Sequence, residues 1–473
     1  MESTREKPSP QTLTRAQLTG LLCTVSIASF ATPMISTGVS LCLPLISQDF
    51  SIQAANIGWV QTTFLLVYAV FLFPFGKIAD RLGKRKMFLV GLCFQGLGFG
   101  IAGFSSTLAM LLLGMALGGF GSAQIFSVSV PLMTTNFPRK ERGKVIGINT
   151  AVVYAALACG PFIGGMLAHH FGWHSVYLVL LPVCLLSFCV AWTVIPKTIP
   201  QDVQKVPFDW FGVFSYITAA ALLIIGITRI TEGTYAIVIL LVGIVASVLC
   251  LRFEMKSPDP VFPIDLFQKS KLFRNSSLAT LINYGATFAV TLLLSFYLQN
   301  VRGFSSDVAG TILIAQPIVM AILTPLSGRL SDRIDPRIPA TIGMIITAAA
   351  LFALSLLTNT TPIWIVVLIL MVLGCGVGIF SSPNMNSIMS SVPDRYAGTA
   401  SATAGTMRVF GQVVSVATFT VIFAAMLGSV VISQEIAEQL LNALSFVFIV
   451  LGLLCSIGVW FSYARGKNSF GEE

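Results

Sequence analysis

PFGKIADRLGKR, residues 74–85, and PLSGRLSDRIDPR, residues 325–337, are two copies of one pattern. With Gly76 set on Gly328, Asp80 falls on Asp332, Arg81 on Arg333 and Arg85 on Arg337, each 252 residues further along. A second match holds at 255 residues, where GGFGSAQIFSVSVP (118–131) and FPRKERG (137–143) resemble GCGVGIFSSPNMN (374–386) and VPDRYAG (392–398). Gly119 and Gly121 then fall on Gly374 and Gly376, and Pro138 on Pro393. Two matches at nearly one offset imply duplicated halves, and parallel repeats related by an axis along the membrane normal are a transporter design.

Composition places those halves in a bilayer. Of 473 residues, 55% are hydrophobic and 10% charged, against about 25% charged in soluble domains. Mean hydropathy is +0.87. Runs of about 20 apolar residues, enough to cross the hydrocarbon core, occur fourteen times between residues 17 and 463. Six per half leave the pair at 210–228 and 235–251 as an insert. The expected fold is therefore an all-α membrane protein of two pseudo-symmetric six-helix bundles plus two inserted helices. The divisions are a tail at 1–16, bundles at 17–196 and 275–464, a linker with the inserted pair at 197–274, and a tail at 465–473. With both ends cytoplasmic, every basic residue except Arg229, Arg302 and Arg408 falls on an inner loop or tail, as the positive-inside rule requires. The net charge of +9 thus reads as topology and attraction to anionic lipid, not nucleic acid. The first apolar run is too long for a cleavable signal, so a multi-pass cell-membrane protein is expected.

The nine cysteines all fall in apolar runs without CxxC spacing and read as small apolar fillers. His169, His170 and His174 cluster near one helix end and read as loop or headgroup residues. The sequence offers no metal site, cofactor site or catalytic triad, and its longest non-membrane segments are too short for an enzyme domain. A carrier of small molecules that acts as a monomer is expected instead.

GKIADRLGKRK, residues 76–86, closely resembles the loop signature of the major facilitator superfamily, and the chain resembles that superfamily's fourteen-helix drug:proton antiporter branch, the multidrug exporters. The resemblance implies a conformational latch carried by Gly76, Asp80, Arg81, Gly83 and Arg85, with Gly328, Asp332 and Arg333 as its second copy. Gly76 is expected to let two helices approach closely. The stretch GPFIGG, residues 160–165, followed by GWHSVY (172–177), resembles the antiporter signature of the fifth helix. Gly160, Pro161, Gly164 and Gly165 are then expected to pack helices backbone to backbone and to seal the cavity on the outer side. Trp59, Asp209, Trp210, Gly212 and the run Tyr297-Leu298-Gln299 match the branch as well.

The chain departs from that pattern where the family carries intramembrane charge. Ile35 stands in the place of a first-helix carboxylate, Met115 in that of a fourth-helix arginine and Gly118 in that of a glutamine. None of the 19 acidic residues falls in the middle of a span, although intramembrane acids are the usual proton carriers. Proton coupling is thereby placed in doubt, with Asp49 and Asp307 near the outer mouth as the remaining candidates. Arg408, in GTMRVFGQ (405–412), lies about 15 Å into its helix at 1.5 Å per residue. Insertion there costs roughly 2.5–3.5 kcal/mol, so it must face a cavity or a buried acceptor. Asn283, Tyr284, Gln316, Asn384, Gln124, Tyr154 and Ser40 complete the expected substrate cavity. The function expected is export of hydrophobic or amphipathic molecules by alternating access; the alternative is a facilitator or exchanger of an organic anion centred on Arg408.

Overall fold

The computed structural model describes residues 14–52, 56–138, 141–195, 209–229, 233–255, 264–331, 333–392, 397–428 and 436–466, and every regular element among them is a helix. Hydrocarbon leaves an open strand edge nothing to bond with, so helices that satisfy their own backbone are the expected solution. The first bundle holds α1 (Arg15–Asp49), α2 (Gly58–Leu82), α3 (Lys84–Gly103), α4 (Leu108–Asn136), α5 (Arg142–Phe171), α6 (His174–Leu178) and α7 (Leu180–Val194). The insert is α8 (Trp210–Thr228) and α9 (Thr234–Glu254). A short α10 (Ile264–Lys269) leads to α11 (Lys271–Thr287), α12 (Val290–Phe296) and a π-helical turn (Tyr297–Val301). Then follow α13 (Ser306–Leu313), α14 (Ala315–Ser331), α15 (Arg337–Leu354), α16 (Ile363–Ser390), α17 (Ala397–Leu427) and α18 (Ala437–Tyr463).

Against fourteen expected spans, thirteen helical segments of the described residues are long and apolar enough to cross a membrane. The remaining run, 145–168, lies on α5, a helix of 30 residues with Pro161 inside it. Three spans read as continuous are broken: at Val179 between α6 and α7, at 288–289 between α11 and α12, and at Ile314 between α13 and α14. The second break is answered from a neighbour, since the Ala289 N–H donates to Ser415 Oγ of α17 at 3.0 Å.

The duplication is visible in the packing. In the first bundle α1 packs on α5, α3 on α4 and α2 on α4; in the second, α11 packs on α17, α15 on α16 and α14 on α16. The contacts match residue by residue. A methyl group on Gly121 would strike the backbone of Gly91 and Gln95, and one on Gly376 would strike that of Gly343 and Thr347. One on Gly119 would strike the Phe64 carbonyl, and one on Gly374 the Gln316 carbonyl. Residues 91, 95 and 64 lie 252 before 343, 347 and 316, and 121 and 119 lie 255 before 376 and 374. The closing helices repeat too: the Arg85 guanidinium sits 5.6 Å from the Trp192 ring of α7, and Arg337 sits 5.3 Å from the Tyr463 ring of α18.

The insert lies over a seam between the bundles. α8 packs on α2 of the first and α17 of the second. Arg229 stacks 5.1 Å from the Trp59 ring at one end, and Tyr216 meets Phe73 edge-on at 6.0 Å nearer the other. α9 exposes Leu241, Val245 and Leu249 and presents an apolar surface suited to lipid.

A side chain forced into such a crossing costs about 1–3 kcal/mol. Gly376→Val is therefore expected to lower the thermal unfolding midpoint in detergent by several degrees. Gly405→Ala, where a methyl meets nothing within 4 Å, should leave it unchanged or raise it. Equal midpoints for the two variants would show that the crossing does not hold the bundle together.

Candidate functional site

The end carrying Arg85 and Arg337 is the basic end, and the opposite end, with Asp49, Trp173 and Asp307, is the far end. Between them, where α1, α2, α4 and α5 meet α17, lies a cavity of about 20 Å³, room for about one water molecule. Thr32, Ser36, Phe64, Tyr68, Phe126 and Arg408 are among its walls. Arg408 is the one charged side chain among the described residues lining it. Tyr68 shares its wall, and the guanidinium lies 5.9 Å from the Phe126 ring centroid, close enough for a cation–π contact. Gln412, one turn further along α17, shares the wall.

The cavity is pseudo-symmetric in position and asymmetric in chemistry. Val153 and Leu157 of α5, which also line it, lie 255 residues before Arg408 and Gln412. The same two helical positions are apolar in one half and polar in the other. Around it a neutral network ties the first bundle: Gln95 Nε2 donates to Thr32 Oγ1 and Ser122 Oγ, each at 2.9 Å. Gln61 Nε2 donates to the Ser36 carbonyl at 2.7 Å and to Ser40 Oγ at 3.3 Å.

Of the eight residues expected to form the cavity, Arg408 is in its wall. Ser40 sits beside it, engaged with Gln61. Asn384 Nδ2 donates to Thr280 Oγ1 at 2.7 Å and to the Ser276 carbonyl at 3.3 Å, so it joins α16 to α11. Asn283 is fully buried on α11. Tyr284 lies on the α11–α17 crossing, where a methyl on Gly411 would meet its Cβ. Gln316 is buried near the start of α14, its carbonyl against Gly374. Gln124 faces Gly91 of α3. The Tyr154 side chain lies outside the described residues. Ile35 and Met115, at the places of the family's charges, are buried apolar contacts.

Tyr68 and Gln412 were not read from the sequence. Gln412 was signalled by its spacing of four from Arg408, which puts both on one helix face. Tyr68 was signalled as the one polar side chain between Thr63 and Lys77. Arg465, counted as a loop cation, is in fact fully buried past the end of α18. It donates to Ser462 Oγ at 2.9 Å and Ser387 Oγ at 3.4 Å. Burial pulls its pKa down to about 9, with Asp335 acting in the opposite direction.

At the far end the GPFIGG stretch works on two faces. Gly160 and Gly164, four apart, face α1, where added methyls would strike Thr37 and Gly38. Pro161 and Gly165, also four apart, face α13 of the other bundle: a methyl on Gly165 would overlap the Ser306 carbonyl, and one on Gly310 would lie 2.6 Å from the Pro161 carbonyl. Ser306 Oγ donates to the Gly165 carbonyl at 3.1 Å. His169 of α5 faces Asp307 of α13 at 3.7 Å, and Asp49 Oδ2 accepts from Trp173 Nε1 at 3.0 Å.

At the basic end the two copies of the loop pattern differ in packing. Gly76 was expected to permit a close helix approach, yet a methyl there meets nothing within 4 Å, whereas one on Gly328 would lie 2.6 Å from Ser382 Oγ. Gly83 turns the chain from α2 into α3 with φ of 94°, a region that disfavours side chains. Arg85 donates to the Trp192 carbonyl. Arg81 ends α2, and Arg333 is exposed on the turn before α15. The Asp80 side chain and Asp332 lie outside the described residues.

Comparison with known proteins gives a consistent result. The model of the Major Facilitator Superfamily matches residues 25–416. The chain is 28% identical over 409 residues to the riboflavin transporter RibZ of Clostridioides difficile, covering 85% of this chain and 88% of that protein. It is 29% identical over 414 residues to the multidrug efflux pump LfrA of Mycolicibacterium smegmatis, covering 85% and 81%. It is also 29% identical over 417 residues to the tetracenomycin C resistance and export protein of Streptomyces glaucescens, covering 86% and 76%. Among solved structures, a bacterial homolog of the human lysosomal transporter Spinster, inward-facing and unoccupied, superposes with a TM-score of 0.68 at 15% identity, covering 96% and 98%.

A bulky residue in the far-end contact should part the bundles there. The cost of overpacking, about 1–3 kcal/mol, shifts a two-state equilibrium by roughly ten- to hundredfold. Gly165→Val is expected to lengthen the distance between spin labels at Ser106 and Thr360, two exposed far-end loop positions. An unchanged distance distribution would show that this contact does not set the conformation.

Proposed function

The chain belongs to the Major Facilitator Superfamily, and from that premise we propose that this multi-pass membrane transporter exports amphipathic or hydrophobic small molecules by alternating access. The observation that carries the reading is the cavity between α17 and the first bundle: aromatic walls, neutral polar groups, and Arg408 as the one charge among its described residues. Aromatic and apolar walls with a few polar groups suit organic molecules. The curated relatives that are efflux proteins support export as the direction.

At about 20 Å³ the cavity admits substrate only when α17 moves away from α1, α2, α4 and α5. The far-end contact of α5 with α13 closes one route, so in this reading substrate enters from the basic end once α17 has moved. With the basic end cytoplasmic, as the charge distribution argues, the far end is the exit. The fourteen-helix antiporter branch is the matching class, with α8 and α9 as its inserted pair. The branch's usual mid-membrane carboxylate has no counterpart among the cavity's described residues, which argues against proton coupling at that cavity and leaves the driving ion unassigned.

A second reading, exchange of an organic anion bound to Arg408, is favoured by that same cation and by the likeness to a riboflavin transporter. Under both readings a lipophilic cation is the disfavoured cargo, because a buried like charge repels it.

The test uses proteoliposomes and three probes: an uncharged amphiphile, an aromatic carboxylate and tetraphenylphosphonium. The first two should be transported and the third excluded. A charge-assisted hydrogen bond contributes roughly 1.5–3 kcal/mol, so Arg408→Gln should slow the carboxylate about tenfold or more and the uncharged probe less. Tyr68→Phe should act in the same direction, more weakly. An imposed pH gradient should change initial rates less than twofold. Strict dependence on the gradient would overturn the uncoupled mechanism, and rapid transport of tetraphenylphosphonium would overturn the assignment of cargo.

A further inference from the structure

The far end holds two helix crossings between the bundles, and they are copies of each other. On one side α5 crosses α13 at Gly165 and Gly310. On the other, α2 crosses α17 at Gly58, where an added methyl would overlap Thr420 Oγ1. Gly58 lies 252 residues before Gly310, and Gly165 lies 255 before Thr420, which are the two offsets of the sequence repeat. The Thr420 hydroxyl is turned back onto its own helix and donates to the Val416 carbonyl at 2.8 Å. A side chain therefore sits against Gly58, where backbone sits against Gly165 and Gly310.

The two seams differ in what lies over them. α8 packs on both α2 and α17. Its inward stripe is Val213, Ile217, Ala220 and Ile224, spaced four, three and four apart as one helix face requires. At the far end Arg229 stacks 5.1 Å from the ring of Trp59, the residue after Gly58. α9 backs α8 so closely that the pair forms one stiff plate. A methyl on Gly226 would lie 2.6 Å from the Leu240 backbone, and one on Gly243 would lie 2.7 Å from that of Leu223. Among the described residues, no helix outside the two bundles packs over α5 and α13. Phe162 and Met166 of α5, and Ile318 and Ile322 of α14, are exposed.

We propose that the inserted pair is a strap that holds the far end of the α2–α17 seam shut through the transport cycle. On the alternating-access reading above, on which this inference rests, the far end then opens on one side only, by parting α5 from α13. Opening there breaks the Ser306–Gly165 hydrogen bond, the exposed His169–Asp307 pair and the bond from Gln299 Nε2 to the Leu41 carbonyl. Opening at α2–α17 would strip Thr420 from Gly58 and also peel a two-helix plate from one of its supports. The packing of the α8 stripe would be lost, and in lipid such packing is what holds helices together. The strapped seam is therefore the hinge, and cargo leaves between α5 and α13.

Reducible cross-links test the hinge in proteoliposomes, in a chain whose exposed Cys23, Cys93 and Cys189 are replaced by alanine. One bifunctional methanethiosulfonate tie joins cysteines placed at Asn56 and Ala425, exposed positions flanking the α2–α17 crossing. Another joins cysteines placed at His169 and Asp307, across α5 and α13. The first tie should leave the initial rate of the uncharged amphiphile within about twofold. The second should lower it about tenfold or more, with recovery on reduction. Loss under both ties, or under the first alone, overturns the hinge and leaves alternating access standing. Undiminished transport under both sinks the alternating-access reading and the strap with it. Spin labels at Asn56 and Ala425 test the strap without any cargo, so they decide it even where the export reading fails. A single short distance is expected in Gly165→Val. Adding Trp59→Ala, or Arg229→Ala if the first does not fold, removes a cation–π stack and should shift roughly two- to fivefold more of the population to a longer distance. A long distance already present in Gly165→Val, or none after both additions, overturns the strap.

Discussion

Hydrogen atoms in place of side chains at Gly121 and Gly376 are what the architecture depends on. In lipid there is little hydrophobic drive to bring helices together, so association rests on close packing and on hydrogen bonds between helices. At these positions α4 and α16 lie against the backbones of α3 and α15, and at Gly119 and Gly374 the same helices lie against α2 and α14. One helix of each bundle therefore carries two crossings, on faces set by residues two apart in sequence. The result is a pair of tightly built bodies. Among the described residues, the contacts between those bodies run mainly along a few helix pairs: α5 with α13 and α14, α2 and α4 with α17, and α1 with α12 and α13. Rigid bodies joined along narrow seams are what an alternating-access carrier requires.

Duplication supplies the scaffold, and departure from it supplies the chemistry. Positions 153 and 157 in one half and 408 and 412 in the other look into the same small space. Valine and leucine at the first pair, arginine and glutamine at the second, make that space one-sided. A guanidinium at this depth has little water to rely on, and its neighbours include a phenol and an aromatic face. A carboxylate partner would neutralise the charge and leave little field in the cavity. A phenol and a ring orient a guanidinium without neutralising it, which is the arrangement that the cargo preference proposed above calls for.

The sequence made the repeat, the membrane class and the depth of Arg408 legible, because each rests on spacing along one chain. The residues that meet Arg408 were less accessible. Tyr68 stands 340 positions away, and nothing in its own helix says which of its neighbours across the seam it touches. Asn283, Gln316, Asn384 and Gln124 were chosen for polarity at mid-depth, but a polar side chain in a bilayer has two uses. Here Asn384 serves the other one, fastening α16 to α11. Arg465 shows the limit of charge counting, since a residue placed by the positive-inside rule on a loop is enclosed by its own bundle. The breaks at 288–289 and 314 fall inside runs apolar enough overall to read as continuous spans, so hydropathy does not mark them.

Helical periodicity explains how one six-residue stretch serves both within a body and between bodies. In GPFIGG the spacing of four puts Gly160 and Gly164 on the face toward α1, and Pro161 and Gly165 on the face turned about 100° from it, toward α13. Proline at 161 lacks a backbone N–H, yet its carbonyl still forms part of the contact with Gly310. If the bodies rock, the α1 face must hold and the α13 face must release. The asymmetry of the contacts fits that division. Toward α1 the chain is committed by two glycine crossings deep in its own bundle. Toward α13 it is joined by one serine hydroxyl, one exposed histidine–aspartate pair and the fit of two glycines. Exposed pairs of this kind contribute little, about 0–1 kcal/mol, so shape rather than charge closes the far end. A closure made of shape is strong when complete and weakens abruptly once parted, because dispersion contacts fall away within about an ångström. A carrier that must be either sealed or open, and seldom between, is well served by that steepness.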